Sequence, residues 1–87
     1  MPNGLNENLI NVRYFAMLRD LAGKSLDQVA IALGDTPHKV YEQLRTRYMF
    51  PLTVGEIRVA INDEFADFST TLKPGDEVTF IPPVAGG

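Results

Sequence analysis

The chain has 87 residues, 45% hydrophobic and 22% charged, with 8 basic and 11 acidic side chains for a net charge of −3. A chain this short buries about 63% of its unfolded surface, which supports one small core and not two domains. This balance excludes a disordered polar tail and a membrane span, and no basic tract offers a phosphate backbone a footing. Neither nucleic acid nor a membrane is therefore an expected partner. Cysteine is absent and His38 is the single histidine, which removes thiol nucleophiles, zinc–thiolate sites and histidine metal cages. No stably bound cofactor is expected. The absence of cysteine fits a reducing compartment, so the cytoplasm is the expected location.

Residues 1–8 (MPNGLNEN) are polar, hold Pro and Gly and show no period; they read as a flexible leader. Leu9–Ala16 alternates, with Ile10, Val12 and Tyr14 on one face and Asn11, Arg13 and Phe15 on the other, which predicts a half-buried strand. Met17–Gly23 predicts a short helix, with Leu18, Leu21 and Ala22 on one side and Gly23 as its stop. Ser25–Ala32 predicts a second strand, although Leu26 and Val29 do not fit a strict period of two. Thr36-Pro37 reads as a cap and first residue of the main helix, which runs to Tyr48 with Val40, Tyr41, Leu44 and Tyr48 as its apolar stripe. Met49–Gly55 reads as a loop. Ile57–Asn62 alternates again, with Ala60 on the outward face; a tight turn at Asn62-Asp63-Glu64 then leads to a short strand near Phe65. Lys73-Pro74-Gly75-Asp76 has type II turn chemistry, and Glu77–Ile81 is the last strand. The expectation is a domain over 9–81: an α+β mixed sheet of about five strands, one main helix and one short helix.

The most informative segment is the end, Pro82-Pro83-Val84-Ala85-Gly86-Gly87. Two prolines stop the strand and extend the chain, so that residues 82–87 reach about 20 Å as a tail. Gly86 and Gly87 have no side chains and can pass a narrow channel in a partner enzyme. The carboxylate of Gly87 is sterically open to activation as an acyl adenylate and to attack by sulfur or nitrogen. A frayed glycine-rich end is the competing reading.

A second signal comes from strand parity. Phe15, Ala60 and Ile81 point away from the predicted helix, and Phe65 is placed to join them. Apolar residues on an otherwise open sheet face mark a protein interface, unless a loop covers them or the register differs. Arg19 is expected on the surface, where it can pair with an acidic partner. Other candidates are bland: His38 reads as a surface residue, Asp63, Glu64 and Asp67 as a solvated turn, and Ser69-Thr70-Thr71 has no histidine nearby in sequence.

VRYFAMLRDLAG (Val12–Gly23) and LKPGDEVTFIPPVAGG (Leu72–Gly87) closely resemble the small subunit of molybdopterin synthase, and the middle of the chain follows the same order. The resemblance covers about Ile10–Gly87. It implies a ubiquitin-like β-grasp fold and a sulfur carrier that is not an enzyme on its own. An E1-like enzyme would use ATP to adenylate Gly87. A persulfide donor, such as a cysteine desulfurase or rhodanese, would then leave a thiocarboxylate there. The tail, Pro82, Pro83, Val84, Ala85 and Gly86, would thread into the large subunit and deliver sulfur to cyclic pyranopterin monophosphate, within a heterotetramer. The family's hydrophobic contact positions fall on Phe15, Phe65 and Ile81; phenylalanine is common in the family where Ile81 stands. Related readings are a carrier for thiamine or cysteine biosynthesis, a protein modifier joined to lysine through Gly87, and an interaction module with an inert end.

Overall fold

The computed structural model describes residues 8–84. The sequence folds as β1 (Leu9–Tyr14), α1 (Ala16–Ala22), β2 (Leu26–Ala30), α2 (Pro37–Tyr48), β3 (Arg58–Ile61), β4 (Glu64–Ala66) and β5 (Glu77–Ile81). The sheet order is β2-β1-β5-β3-β4. The first and last strands pair in parallel at its centre and all other pairs are antiparallel. With α2 packed on one face, this is the mixed sheet and β-grasp roll anticipated above. Residues 1–7 of the expected leader lie outside the described residues.

The core lies between α2 and one face of the sheet. Alternation sends Ile10, Val12 and Tyr14 of β1, Val59 of β3, and Val78 and Phe80 of β5 to that face, all essentially inaccessible to solvent. From the helix come Val40, Tyr41 and Leu44, the stripe the spacing predicts. Tyr48 is only partly buried and packs its ring edge against Tyr14 with centroids 5.9 Å apart. Phe50, in the loop after α2, joins the ring cluster beside Tyr14, Tyr41 and Tyr48.

Local chemistry fixes the ends. Thr36 caps α2 by accepting from the Lys39 backbone N–H at 3.3 Å, with Pro37 at the first helical position. Gly23 ends α1 in the left-handed conformation, and Gly75 takes φ +89 at the third position of the Lys73–Asp76 turn, as type II requires. Asn62 and Asp63 both have positive φ, the two-residue hairpin geometry that matches strand twist.

Several boundaries differ from expectation. β1 stops at Tyr14 and not at Ala16, because Ala16 takes φ +52 and turns the chain into α1. Leu21 is exposed, since a two-turn helix can set only Leu18 fully into the core. The loop after α2 contains a 3-10 turn at Val54–Glu56, held by reciprocal Thr53–Glu56 bonds. Those bonds to Thr53 hold the Glu56 carboxyl below its ordinary range.

Candidate functional site: an apolar groove at the root of the tail

The parallel pairing of β1 and β5 decides where the site lies. Parallel strands end at the same side of a sheet, so the start of α1 and the chain leaving β5 emerge together. Tyr14 pairs with Phe80, and one step further Phe15 meets the level of Ile81. Between them runs an open groove of about 400 Å³, lined by Phe15, Ala16 and Met17 from the start of α1 and by Ile81, Pro82, Pro83 and Val84 from the end of β5 and beyond. No charged side chain lines it.

The registers show how the rest of the open face is built. One row across the sheet reads Leu26, Arg13, Thr79, Ala60, Phe65. The next row toward the tail has Ile81 opposite Arg58. Phe15 is 45% and Phe65 64% exposed, so the aromatic positions expected at an interface are solvent-facing. Ile81 is half-buried. Ala60 is on the expected face but is only 9% exposed. Its methyl lies between its larger cross-strand neighbours Phe65 and Thr79, so it supplies the floor of the patch and not its contact surface. Arg19 is exposed on α1 and borders a cleft with Phe15, Ser25 and Leu26. Pro82 is buried, whereas Pro83 and Val84 are exposed. Ala85, Gly86 and Gly87 lie outside the described residues.

Local stability is given up at the groove. Phe15 occupies the N-cap of α1 and makes no side-chain cap bond, where Asp, Ser or Asn would satisfy an orphan N–H. Ala16 holds a left-handed conformation that costs a residue with a Cβ about 1–2 kcal/mol. A poor cap and a strained alanine side by side are the kind of local conflict that marks a functional position.

A buried cluster under this end of the sheet was not visible in the motifs. Asp27 of β2 faces the helix and accepts from the Tyr14 hydroxyl at 3.0 Å and the Tyr48 hydroxyl at 2.9 Å. Burial and the neighbouring Asp27 carboxylate push the Tyr14 phenol far above its ordinary value, so it stays a donor. The cluster ties β1, β2 and α2 together one residue before Phe15. It also explains the broken period of β2: Leu26 points outward, while Asp27 and Val29 point inward. An acid at inward parity, with tyrosines at inward positions on β1 and α2, was the available signal.

The weaker candidates stay apart. His38 is exposed at the first turn of α2. Among the described residues, no three His, Asp or Glu side chains gather to hold a metal ion. Nor, among those residues, is any helix long and apolar enough to cross a membrane.

Comparison with known proteins gives the family and the fold. The chain is 36% identical over 86 residues to the molybdopterin synthase sulfur carrier subunit of Escherichia coli, covering 91% of this chain and all of that one. The crystal structure of SAMP1 from Haloferax volcanii shares the fold with a TM-score of 0.78 at 24% identity, over 91% of this chain and 99% of that one. A chain in the Helicobacter pylori complex of subunits 1 and 2 of molybdopterin-converting factor does so with a TM-score of 0.64 at 24% identity, over 91% and 99%. The ThiS family model matches residues 12–87, nearly the whole domain and the tail, and the chain therefore belongs to the ThiS family, with a ubiquitin-like β-grasp fold.

Proposed function

We propose that this chain is the sulfur-carrier subunit of a molybdopterin synthase and carries its sulfur on the carboxyl end of Gly87. The observation behind the reading is one juxtaposition: the tail root leaves the sheet beside an exposed, uncharged groove lined by Phe15, Met17 and Ile81. A partner that covers the groove receives the tail in a fixed direction. The similarity to the Escherichia coli sulfur carrier subunit supports the choice of pathway.

In this reading the domain contributes position and not chemistry. An E1-like enzyme joins the Gly87 carboxylate to AMP and releases pyrophosphate from ATP. AMP leaves when the terminal sulfur of a persulfide, carried by a cysteine desulfurase or rhodanese, bonds the carbonyl carbon. A thiol then takes up the donor as a disulfide and frees the thiocarboxylate. Seated in the large subunit, the tail presents this sulfur to cyclic pyranopterin monophosphate. Tethering replaces a bimolecular encounter with sulfur by a positioned one, which is where the rate advantage lies. Phe15, Phe65 and Ile81 dock on the large subunit, Ala60 lies beneath them and Arg19 flanks them. Pro82 is anchored in the domain, and Pro83, Val84, Ala85 and Gly86 lead inward; Pro83 limits the freedom lost on threading.

The test is the intact mass of the chain after incubation with the host's E1-like enzyme, ATP and a persulfide donor. The expected result is a gain equal to exchanging one oxygen for sulfur, absent when Gly87 is deleted. The loaded chain should then convert cyclic pyranopterin monophosphate when mixed with the large subunit. No gain, with the same enzyme active on another carrier, would overturn the reading. Loading without conversion would move the chain to a different sulfur pathway.

A further inference from the structure

The open face carries two arginines in different states. Arg13 is committed: its guanidinium pairs with Glu77 at 3.1 Å. Arg58 is not. It stands in the row beside Ile81, and its guanidinium carbon lies 4.3 Å from the centroid of the Phe65 ring, over the aromatic face. Among the described residues no carboxylate lies within ion-pair distance of Arg58 and no acceptor takes a hydrogen bond from its side chain. Asp67 borders the same small cleft without pairing to it.

This geometry has a chemical consequence. Stacking uses the flat face of a guanidinium and leaves its N–H edge free for in-plane bonds. The stack on Phe65 also removes much of the rotamer freedom that a long side chain loses on binding. Arg58 is thus a preorganised fork at the rim of an apolar patch, and the acceptor that matches a planar fork is a carboxylate taken side-on. The patch already needs a protein to cover it, so the carboxylate belongs to that protein.

We infer that Arg58 is a specificity determinant of the docking face, and that the partner's surface places an Asp or Glu carboxylate against it when Phe65 and Ile81 are covered. This rests on the docking role proposed above and adds the chemistry of the partner. A rim charge of this kind steers encounter and rejects basic surfaces more than it adds raw affinity.

The experiment measures affinity and association rate for the molybdopterin synthase large subunit, at low and at high salt, with the full-length wild type, Arg58→Ala, Arg58→Lys, Arg58→Glu and Phe15→Asp. Arg58→Ala should lose about tenfold at low salt and much less at high salt, mainly through slower association. Arg58→Lys should recover only part of the loss, because an ammonium cannot offer the fork. Arg58→Glu should bind more weakly than Arg58→Ala. Thermal unfolding of the free variants should match wild type, which separates this role from shielding of Phe65. If Phe15→Asp abolishes binding while all Arg58 variants match wild type at both salts, the inference is overturned and the docking face stands. Arg58→Glu binding as well as Arg58→Ala would also overturn it. If Phe15→Asp binds like wild type, the docking role itself fails.

Discussion

The two faces of the sheet use the same strands for opposite ends. On the helix side, Val12, Tyr14, Val59, Val78 and Phe80 are sealed beneath α2. On the open side, the intervening residues sort by row. Away from the tail, a polar row holds Gln28, Asn11 and Glu77 in register, with Arg13 reaching Glu77. Toward the tail the face turns apolar, through Phe65 and Ile81 to Phe15. Alternation supplies stability from one set of positions and, in the proposed function, leaves the other set free for recognition. The apolar groove lies at the end where the chain leaves the sheet, which is where the proposed function puts recognition.

The sharpest test is to truncate one aromatic residue on each face. Phe80→Ala should cost about 3–5 kcal/mol of stability, read as a large fall in the denaturant midpoint. Phe65→Ala should stay within about 0.5 kcal/mol of wild type in the same titration. Equal losses would sink the comparison.

Next in size is a change at Phe15. Phe15→Asp should weaken binding to the large subunit by at least about 30-fold, as expected for a central anchor replaced by a buried unpaired charge. The fold should not suffer, because aspartate is a better N-cap than phenylalanine and α1 gains a cap bond. A calorimetric titration showing undiminished affinity would remove Phe15 from the interface.

A smaller effect lies in the core's own electrostatics. Asp35 is buried, accepts from the Ala32 N–H at 2.8 Å and pairs with Lys39 at 3.2 Å. The bond from Ala32 is the main cause that holds its carboxyl below the ordinary aspartate range, with Lys39 adding to it. A depressed folded pKa means that the unfolded chain takes up the proton first as pH falls. This stabilisation is full above the ordinary aspartate pKa and is lost as pH drops through the lowered one. Asp35→Asn should cost about 1 kcal/mol at neutral pH and flatten the acid limb of the stability curve. An acid limb as steep as wild type would assign the pH dependence to other carboxylates. Partner binding, on the opposite face, should not change.

The smallest expected effect is at the groove itself. Ala16→Gly relieves the left-handed strain but frees the unfolded chain, and the two terms nearly cancel to within about 0.5 kcal/mol. A loss above about 1 kcal/mol in chemical denaturation would mean that the alanine methyl packs, and that the strain argument is wrong.

Much of this was written in local chemistry. Thr36-Pro37 announced the start of α2, Gly23 the end of α1, and Pro74-Gly75 the turn before β5; each is a short-range steric demand that no tertiary contact is needed to state. The alternation of β1, β3 and β5 assigned their faces for the same reason, and that alternation put Phe15, Ala60 and Ile81 on the open side. The reading missed one local backbone turn and two effects of neighbours on other strands or elements. β1 ends early because Ala16 turns the chain into α1. Ala60 is covered because Phe65 and Thr79 stand beside it in register. Asp27 broke the pattern of β2 because its partners, Tyr14 and Tyr48, come from two other elements.

The sequence by itself determined the elements and the inward set, since helix caps, turns and strand parity depend on residues a few positions apart. Tertiary structure alone decided that the tail root and Phe15 share one groove, because that follows from the parallel pairing of the first and last strands. The seat of Arg58 over Phe65 is instead a product of the β3–β4 hairpin, set by the register that its two-residue turn imposes.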